Sequence, residues 1–189
     1  MKEKWKVVIN APVVIGFTAI CFAATLSGLL TGGYSTRLLF QTMHTPLKNV
    51  MTWLRFFTHV FGHSDWSHFT GNAAYLLLLG PILEEKYGKF SIVKVIAVTA
   101  FITGVVNYIF FPGVALCGAS GVVFAFILLV SFTGFRDGEI PLSFILVALI
   151  FIGHQLFDAV FASDNISQLS HIIGGAVGAV SGYSWNRKS

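Results

Sequence analysis

Six apolar runs, each near the roughly twenty residues that a helix needs to cross a bilayer, take up most of this sequence: about residues 11–31, 67–83, 91–111, 117–135, 142–161 and 167–185. Runs of that length in close succession leave a water-soluble fold almost no polar surface to display. The composition agrees, with 55% hydrophobic residues, only 11% charged ones and a mean hydropathy of +0.78. The chain is therefore expected to be an all-α integral membrane protein built as a bundle of six transmembrane helices. Within 189 residues there is no room for a separate soluble domain, so the chemistry is expected inside the bundle.

The net charge of +4 and the pI near 9.2 do not point to nucleic acid, because the basic residues sit at run ends and in connections rather than in one block. They read as topology instead. Lys2, Lys4, Lys6, Lys86, Lys89, Lys94, Arg136, Arg187 and Lys188 fall on one side, against Arg37, Lys48 and Arg55 on the other. By the positive-inside rule both termini are cytoplasmic. The long connection 32–66 is then external, and its Trp53, Phe56, Phe57 and Trp66 suit the headgroup zone. The amino-terminal lysines followed by an apolar run also resemble a secretory signal, but Cys21-Phe22-Ala23 is a poor cleavage site, and an uncleaved first span is expected. Cys21 and Cys117 do not form an extracellular disulfide pattern.

The fourth run opens unusually. Residues 111–119, Phe-Pro-Gly-Val-Ala-Leu-Cys-Gly-Ala, carry no charge and are poor in helix formers. Such a segment can enter the membrane only where its backbone is buried in protein or lines a cavity. Ser120 follows, near the amino end of a helix, where free N–H groups and the positive end of the dipole stabilise a developing oxyanion. The plain alternative is that Gly118, Ser120 and Gly121 only allow two helices to pack closely.

The sixth run bears on that choice. His171 is followed by Gly174, Gly175 and Gly178, which share its helical face. On the fourth run, Gly121 and Ala125 lie beside Ser120, and Phe124 lies one turn on. If these small faces meet, a hydroxyl and an imidazole come together as nucleophile and base. A haem ligand or a structural group are the other roles for such a histidine, and His154 in the fifth run is expected to be structural.

In the second run, His68 and Asn72 stand at i and i+4 at the head of an apolar stretch. Both can donate hydrogen bonds to an oxyanion, alongside the Ser120 N–H. Asn72 could equally serve as interhelical glue, and His59, His63 and His68 as a metal site. The spacing is not that of a zinc helix, however, and Asp65 is the nearest carboxylate. No metal, nucleotide or other cofactor is implied.

Taken together, these pieces resemble the rhomboid family of intramembrane serine proteases. Arg55-x-x-Thr58-x-x-Phe61-x-His63, His63-x-x-x-x-His68-x-x-x-Asn72, Gly80-x-x-x-Glu84-x-x-x-Gly88, Gly118-x-Ser120-Gly121-x-x-x-Ala125 and His171-x-x-Gly174-x-x-x-Gly178 occur in the family's order. The resemblance implies one rhomboid domain over residues 1–189 and a dyad of Ser120 as nucleophile and His171 as general base, without a third carboxylate. It also implies an oxyanion hole of His68, Asn72 and the Ser120 N–H. Arg55 and His63 would be structural, Arg55 organising the external loop, and Glu84 would tie the second and third spans together. Phe124 would stack on His171 where bacterial relatives often have Tyr, and Leu54 stands where the family often has Trp, with Trp53 displaced by one.

The implied function is cleavage of single-span membrane proteins near the outer ends of their helices, in the cell membrane, at a site open to the extracytoplasmic side. Substrate would enter between the second and fifth spans; Phe144, Phe151, Phe157 and Phe161 make the fifth span bulky enough for a gate, and equally suited to packing against lipid. A catalytically silent rhomboid-like protein that only binds membrane clients is the alternative, against which the intact serine and histidine argue. The sequence does not specify an oligomeric state.

Overall fold

A computed structural model describes residues 6–135, 139–161 and 165–186, with side chains described only in part beyond Ile150. Among the described residues the chain is mainly helical, with a β-bridge joining Thr42 to Leu116. The helices are α1 (Pro12–Leu30), α2 (Tyr34–Leu39), α3 (Val50–Thr58), α4 (Trp66–Tyr87), α5 (Lys89–Phe110), α6 (Ser120–Ser131), α7 (Leu142–Phe161) and α8 (Asn165–Asn186). A helix lies in each expected run, and α1 and α5 are long and apolar enough to cross a membrane among the described residues. The shorter α6 is also apolar and continues through a 3-10 turn, 132–134.

Two expectations change. The connection 32–66, expected as a loop, contains α2, α3 and a 3-10 turn at His59–Phe61. Phe56 is 3% exposed and packs edge-on against Tyr108, 5.5 Å away between centroids, whereas Trp53, Phe57 and Trp66 remain exposed. The apolar face of α3 therefore turns inward, onto α5, and a Cβ at Gly104 would press on the Phe56 backbone. The second and third runs also lie closer than expected: α4 and α5 are separated by Gly88 alone, at a φ of 81° that favours glycine. Lys86, Lys89 and Lys94, expected between the second and third runs, therefore all belong to helices.

Glu84 has a different partner from the one inferred. Its carboxylate accepts hydrogen bonds from the N–H groups of Val13 and Val14, at 3.1 and 3.0 Å. Those are orphan donors of the first turn of α1, which begins at Pro12 and lacks a side-chain cap of its own. A carboxylate there also complements the helix dipole. Glu84 thus fastens α4 to α1 rather than to α5. Close by, Gly80 admits the Val14 side chain where any Cβ would collide with it.

The core gathers Val14, Phe17 and Cys21 of α1, Leu76 and Leu83 of α4, Ile92 and Val95 of α5, and Val122, Phe126 and Leu129 of α6. The central α6 is held most closely by α8. Gly174 lies against the backbone of Gly121 and Gly178 against that of Ala125, so close that a Cβ at either would overlap main-chain atoms. The small faces expected to meet do so.

Candidate active site

Ser120 is the first residue of α6. The N–H groups of that first turn have no partner within the helix, and no side chain caps it at Ala119. The chain reaches Ser120 through the irregular segment 111–119, whose backbone is satisfied from outside itself. Thr42 N–H donates to Leu116 C=O at 2.9 Å, and Leu116 N–H to Thr42 Oγ1 at 3.1 Å. Asn107 Nδ2 donates to Thr42 Oγ1 and Val114 C=O, at 2.8 and 3.0 Å. Gly118 N–H donates to His59 C=O at 2.9 Å. This pairing lets the irregular backbone run from exposed Pro112 to buried Gly118 and Ala119 without leaving those main-chain groups unpaired.

His63 fixes the last step. Its Nε2 accepts from Ala119 N–H at 3.4 Å, so the neutral ring carries its proton on Nδ1. That Nδ1 lies 3.2 Å from Phe61 C=O and 3.3 Å from Thr25 Oγ1. Thr25 gives its own proton to Cys21 C=O, which leaves its oxygen as acceptor. Burial, then the neighbouring His68, lowers the His63 pKa from 6.5 to about 4, in keeping with a ring that must stay neutral to accept. His59, fully buried, is likewise lowered to about 4 by burial and points Nε2 at Ala100 C=O, 3.0 Å away. His59 and His63 thus have separate partners and work as braces.

Arg55 braces the same loop, its Nε and Nη2 donating to Leu38 C=O at 3.0 and 2.8 Å. Thr58 Oγ1 adds a bond to Leu39 C=O. Trp53, the displaced tryptophan, donates to Leu47 C=O at 2.9 Å and stays at the surface, as does Leu54.

The polar residues singled out on three different helices open onto one cavity of about 690 Å³: Ser120, His171, His68 and Asn72 all line it. Asn72 is 8% exposed, and its Nδ2 has no hydrogen-bond partner among the described residues. Gly118, at a φ of 131°, passes directly under the His68 ring; a Cβ there would lie 2.9 Å from Nε2. The Phe124 ring packs against His171, 4.1 Å between centroids and tilted by 35°. Sequence reasoning missed Gly71 and Tyr75, which share the face of His68 and Asn72 at i+3 and i+7 and also line the cavity. Cys117 from the loop, Val123 and Ile127 from α6, and Val147 and Ile150 from α7 add to its walls. Of the four phenylalanines expected to form a gate, Phe144 packs on Phe132 and Phe135, while the side chains of Phe151, Phe157 and Phe161 lie outside the described residues, as does that of His154.

The family model of the rhomboid domain matches residues 50–188. The chain belongs to the rhomboid family. It is 26% identical over 162 residues to Rhomboid protease GlpG of Salmonella paratyphi A, a stretch covering 84% of this chain and 57% of that protein. It is 28% identical over 163 residues to Rhomboid protease GlpG of Klebsiella pneumoniae, covering 84% and 58%. Rhomboid-like protein 11, chloroplastic, of Arabidopsis thaliana is 32% identical over 77 residues, covering 40% of this chain and 28% of that one. This rhomboid chain thus spans under three fifths of the length of the bacterial relatives it matches. Membership makes it a membrane protein, in keeping with its apolar helices.

Proposed function

We propose that this chain is an intramembrane serine endopeptidase that cuts transmembrane segments of other membrane proteins. The convergence of Ser120, His171, His68 and Asn72 on one cavity carries the reading. Ser120 Oγ attacks the substrate carbonyl while His171 takes its proton and later returns it to the leaving amine. The negative charge that forms on the carbonyl oxygen is met by the Ser120 N–H at the start of α6, by Asn72 Nδ2 and by His68. Water then hydrolyses the acyl-enzyme. Phe124 steadies the His171 ring in place of a third carboxylate. No step calls for a metal or other cofactor.

Six helices, α1 and α4–α8, cross the bilayer as one domain, with both termini in the cytoplasm. The twelve residues of α6 rise about 18 Å, short of the roughly 30 Å hydrocarbon core, so Ser120 lies below the outer surface. The loop segments α2 and α3 sit beside it in the outer leaflet, and the cavity opens to the extracytoplasmic side. Its walls of Gly71 and Tyr75 from α4 and Val147 and Ile150 from α7 support lateral entry of a single-span substrate between those helices. A substrate helix must unwind to expose a peptide bond, which Gly or Pro in its membrane segment makes easier.

The test is cleavage of a panel of labelled single-span proteins co-reconstituted with the purified chain in liposomes. Wild type is expected to cut at a position inside or just outside the substrate's apolar run, and Ser120→Ala and His171→Ala to leave every member intact. Binding of the panel without cleavage by folded wild type would instead favour a client-binding rhomboid without catalysis.

A further inference from the structure

The short connection into α4 carries two polar side chains that end on the cavity through His68. Ser64 Oγ donates to Asp65 Oδ2 at 2.7 Å and lies 3.2 Å from His68 Nδ1. Asp65 Oδ1 meanwhile accepts from the His68 backbone N–H at 2.8 Å, capping α4. The opposite edge of the same ring, Cε1 and Nε2, is the edge that meets Gly118 two residues before Ser120. One side of the imidazole thus reads Ser64, and the other faces the proposed oxyanion site.

A hydroxyl has one proton to give. While Ser64 gives it to Asp65, Ser64 can only accept from His68. A neutral His68 then holds its hydrogen on Nδ1 and presents a lone pair on Nε2, which cannot stabilise an oxyanion. If Ser64 turns its proton to Nδ1, the ring carries its hydrogen on Nε2 and becomes a donor toward the cavity. Both arrangements keep one proton on Ser64 and one on the ring, and the ring proton changes nitrogen by exchange with water.

We propose that Ser64 selects the tautomer of His68, and that Asp65 competes for the Ser64 proton and holds the free protein in the form with Nε2 as acceptor. A negative oxygen arriving beside Nε2 favours the donor form and draws Ser64 away from Asp65. Ser64 and Asp65 are thus positioning residues for one oxyanion donor. This rests on the protease reading for its consequence, though not for the switch itself. The other titratable groups around the ring are His63, 5.0 Å away between centroids, and Cys117 and His171, which line the same cavity.

The test is nitrogen NMR of histidine-labelled protein in detergent above neutral pH, with the His68 signals assigned by their loss in His68→Gln. Asp65→Asn keeps a capping oxygen for α4 and offers Ser64 a donor instead of a charge, which frees the hydroxyl proton. Wild type is expected to show His68 protonated at Nδ1 and Asp65→Asn to show it protonated at Nε2. In a Ser64→Ala background Asp65→Asn is expected to leave the tautomer unchanged. The same tautomer in wild type and Asp65→Asn overturns the proposal. In cleavage assays Asp65→Asn should raise kcat at unchanged KM. Ser64→Ala should lower kcat about tenfold, less than loss of a whole oxyanion donor, with Ser64→Thr restoring it. A tautomer switch without cleavage by any variant would sink the protease reading and leave the switch standing; cleavage without a tautomer switch would do the reverse.

Discussion

Gly174 and Gly121 meet backbone to backbone, so that α8 and α6 touch with no side chain between them at the level of the proposed dyad. Gly178 and Ala125 repeat the contact one turn on. His171 and Ser120 each lie within one turn of this seam, so the separation of the two helices controls the separation of imidazole and hydroxyl.

Gly174→Ala is therefore expected to push the helices apart. Over-packing of this kind costs roughly 3 kcal/mol, and because the colliding atoms are main chain, no rotamer change relieves it. The variant should melt at lower temperature in detergent and lose activity more than stability. Gly16→Ala, inside α1 at a position with nothing near its Cβ, should leave activity unchanged and should not lower the melting temperature.

Gly118→Ala tests the other side of the cavity. Its φ of 131° is unfavourable for alanine, and the new methyl would press on the His68 ring. A fall in kcat with little change in KM is expected, since the displaced ring serves the transition state. An unchanged kcat would remove His68 from the oxyanion hole.

Acid should loosen the segment before Ser120. The folded-state pKa of His63, about 4, lies below its ordinary value of 6.5, so the unfolded chain binds the proton more readily. The contribution is complete above about 6.5 and is lost as pH falls toward about 4, amounting to a few kcal/mol, with His59 adding a second loss in the same window. Protonated His63 can no longer accept from Ala119 N–H. Melting temperature followed against pH should fall across that range in wild type and more gently in His63→Gln.

Glu84→Ala should leave the N–H groups of Val13 and Val14 without acceptors in apolar surroundings, at a cost of about 2 kcal/mol. Glu84→Gln, which keeps one acceptor oxygen, should recover part of it. Thermal unfolding measures both. Equal stability of all three proteins would show that α1 is held by packing alone.

How much of this could be read from the sequence depended on the range of the interaction. Local periodicity placed His68 beside Asn72, and the glycines of α8 beside His171, because helical spacing fixes which residues share a face. The close seam between α6 and α8 followed from small residues on both. The partner of Glu84 did not, since a carboxylate at the end of α4 can reach several helices and only the fold selects α1. The inward turn of Phe56 was equally hidden, because an aromatic residue near the membrane surface suits the headgroups as well as the core. Thr42 and Asn107, which hold the loop before Ser120 from positions 65 residues apart, carry no local signal at all. The Ser64, Asp65 and His68 cluster falls within five consecutive residues, yet its meaning emerges only once the ring's far edge is seen to face Gly118.

The most direct test of the central claim is labelling of the folded protein by a fluorophosphonate, which strongly prefers an activated serine, followed by mass mapping of the adduct. Wild type should carry a single adduct on Ser120, and His171→Ala, with Ser120 intact but without its base, should label far more slowly. Labelling elsewhere, or equal labelling of wild type and His171→Ala, would contradict a Ser120 and His171 dyad.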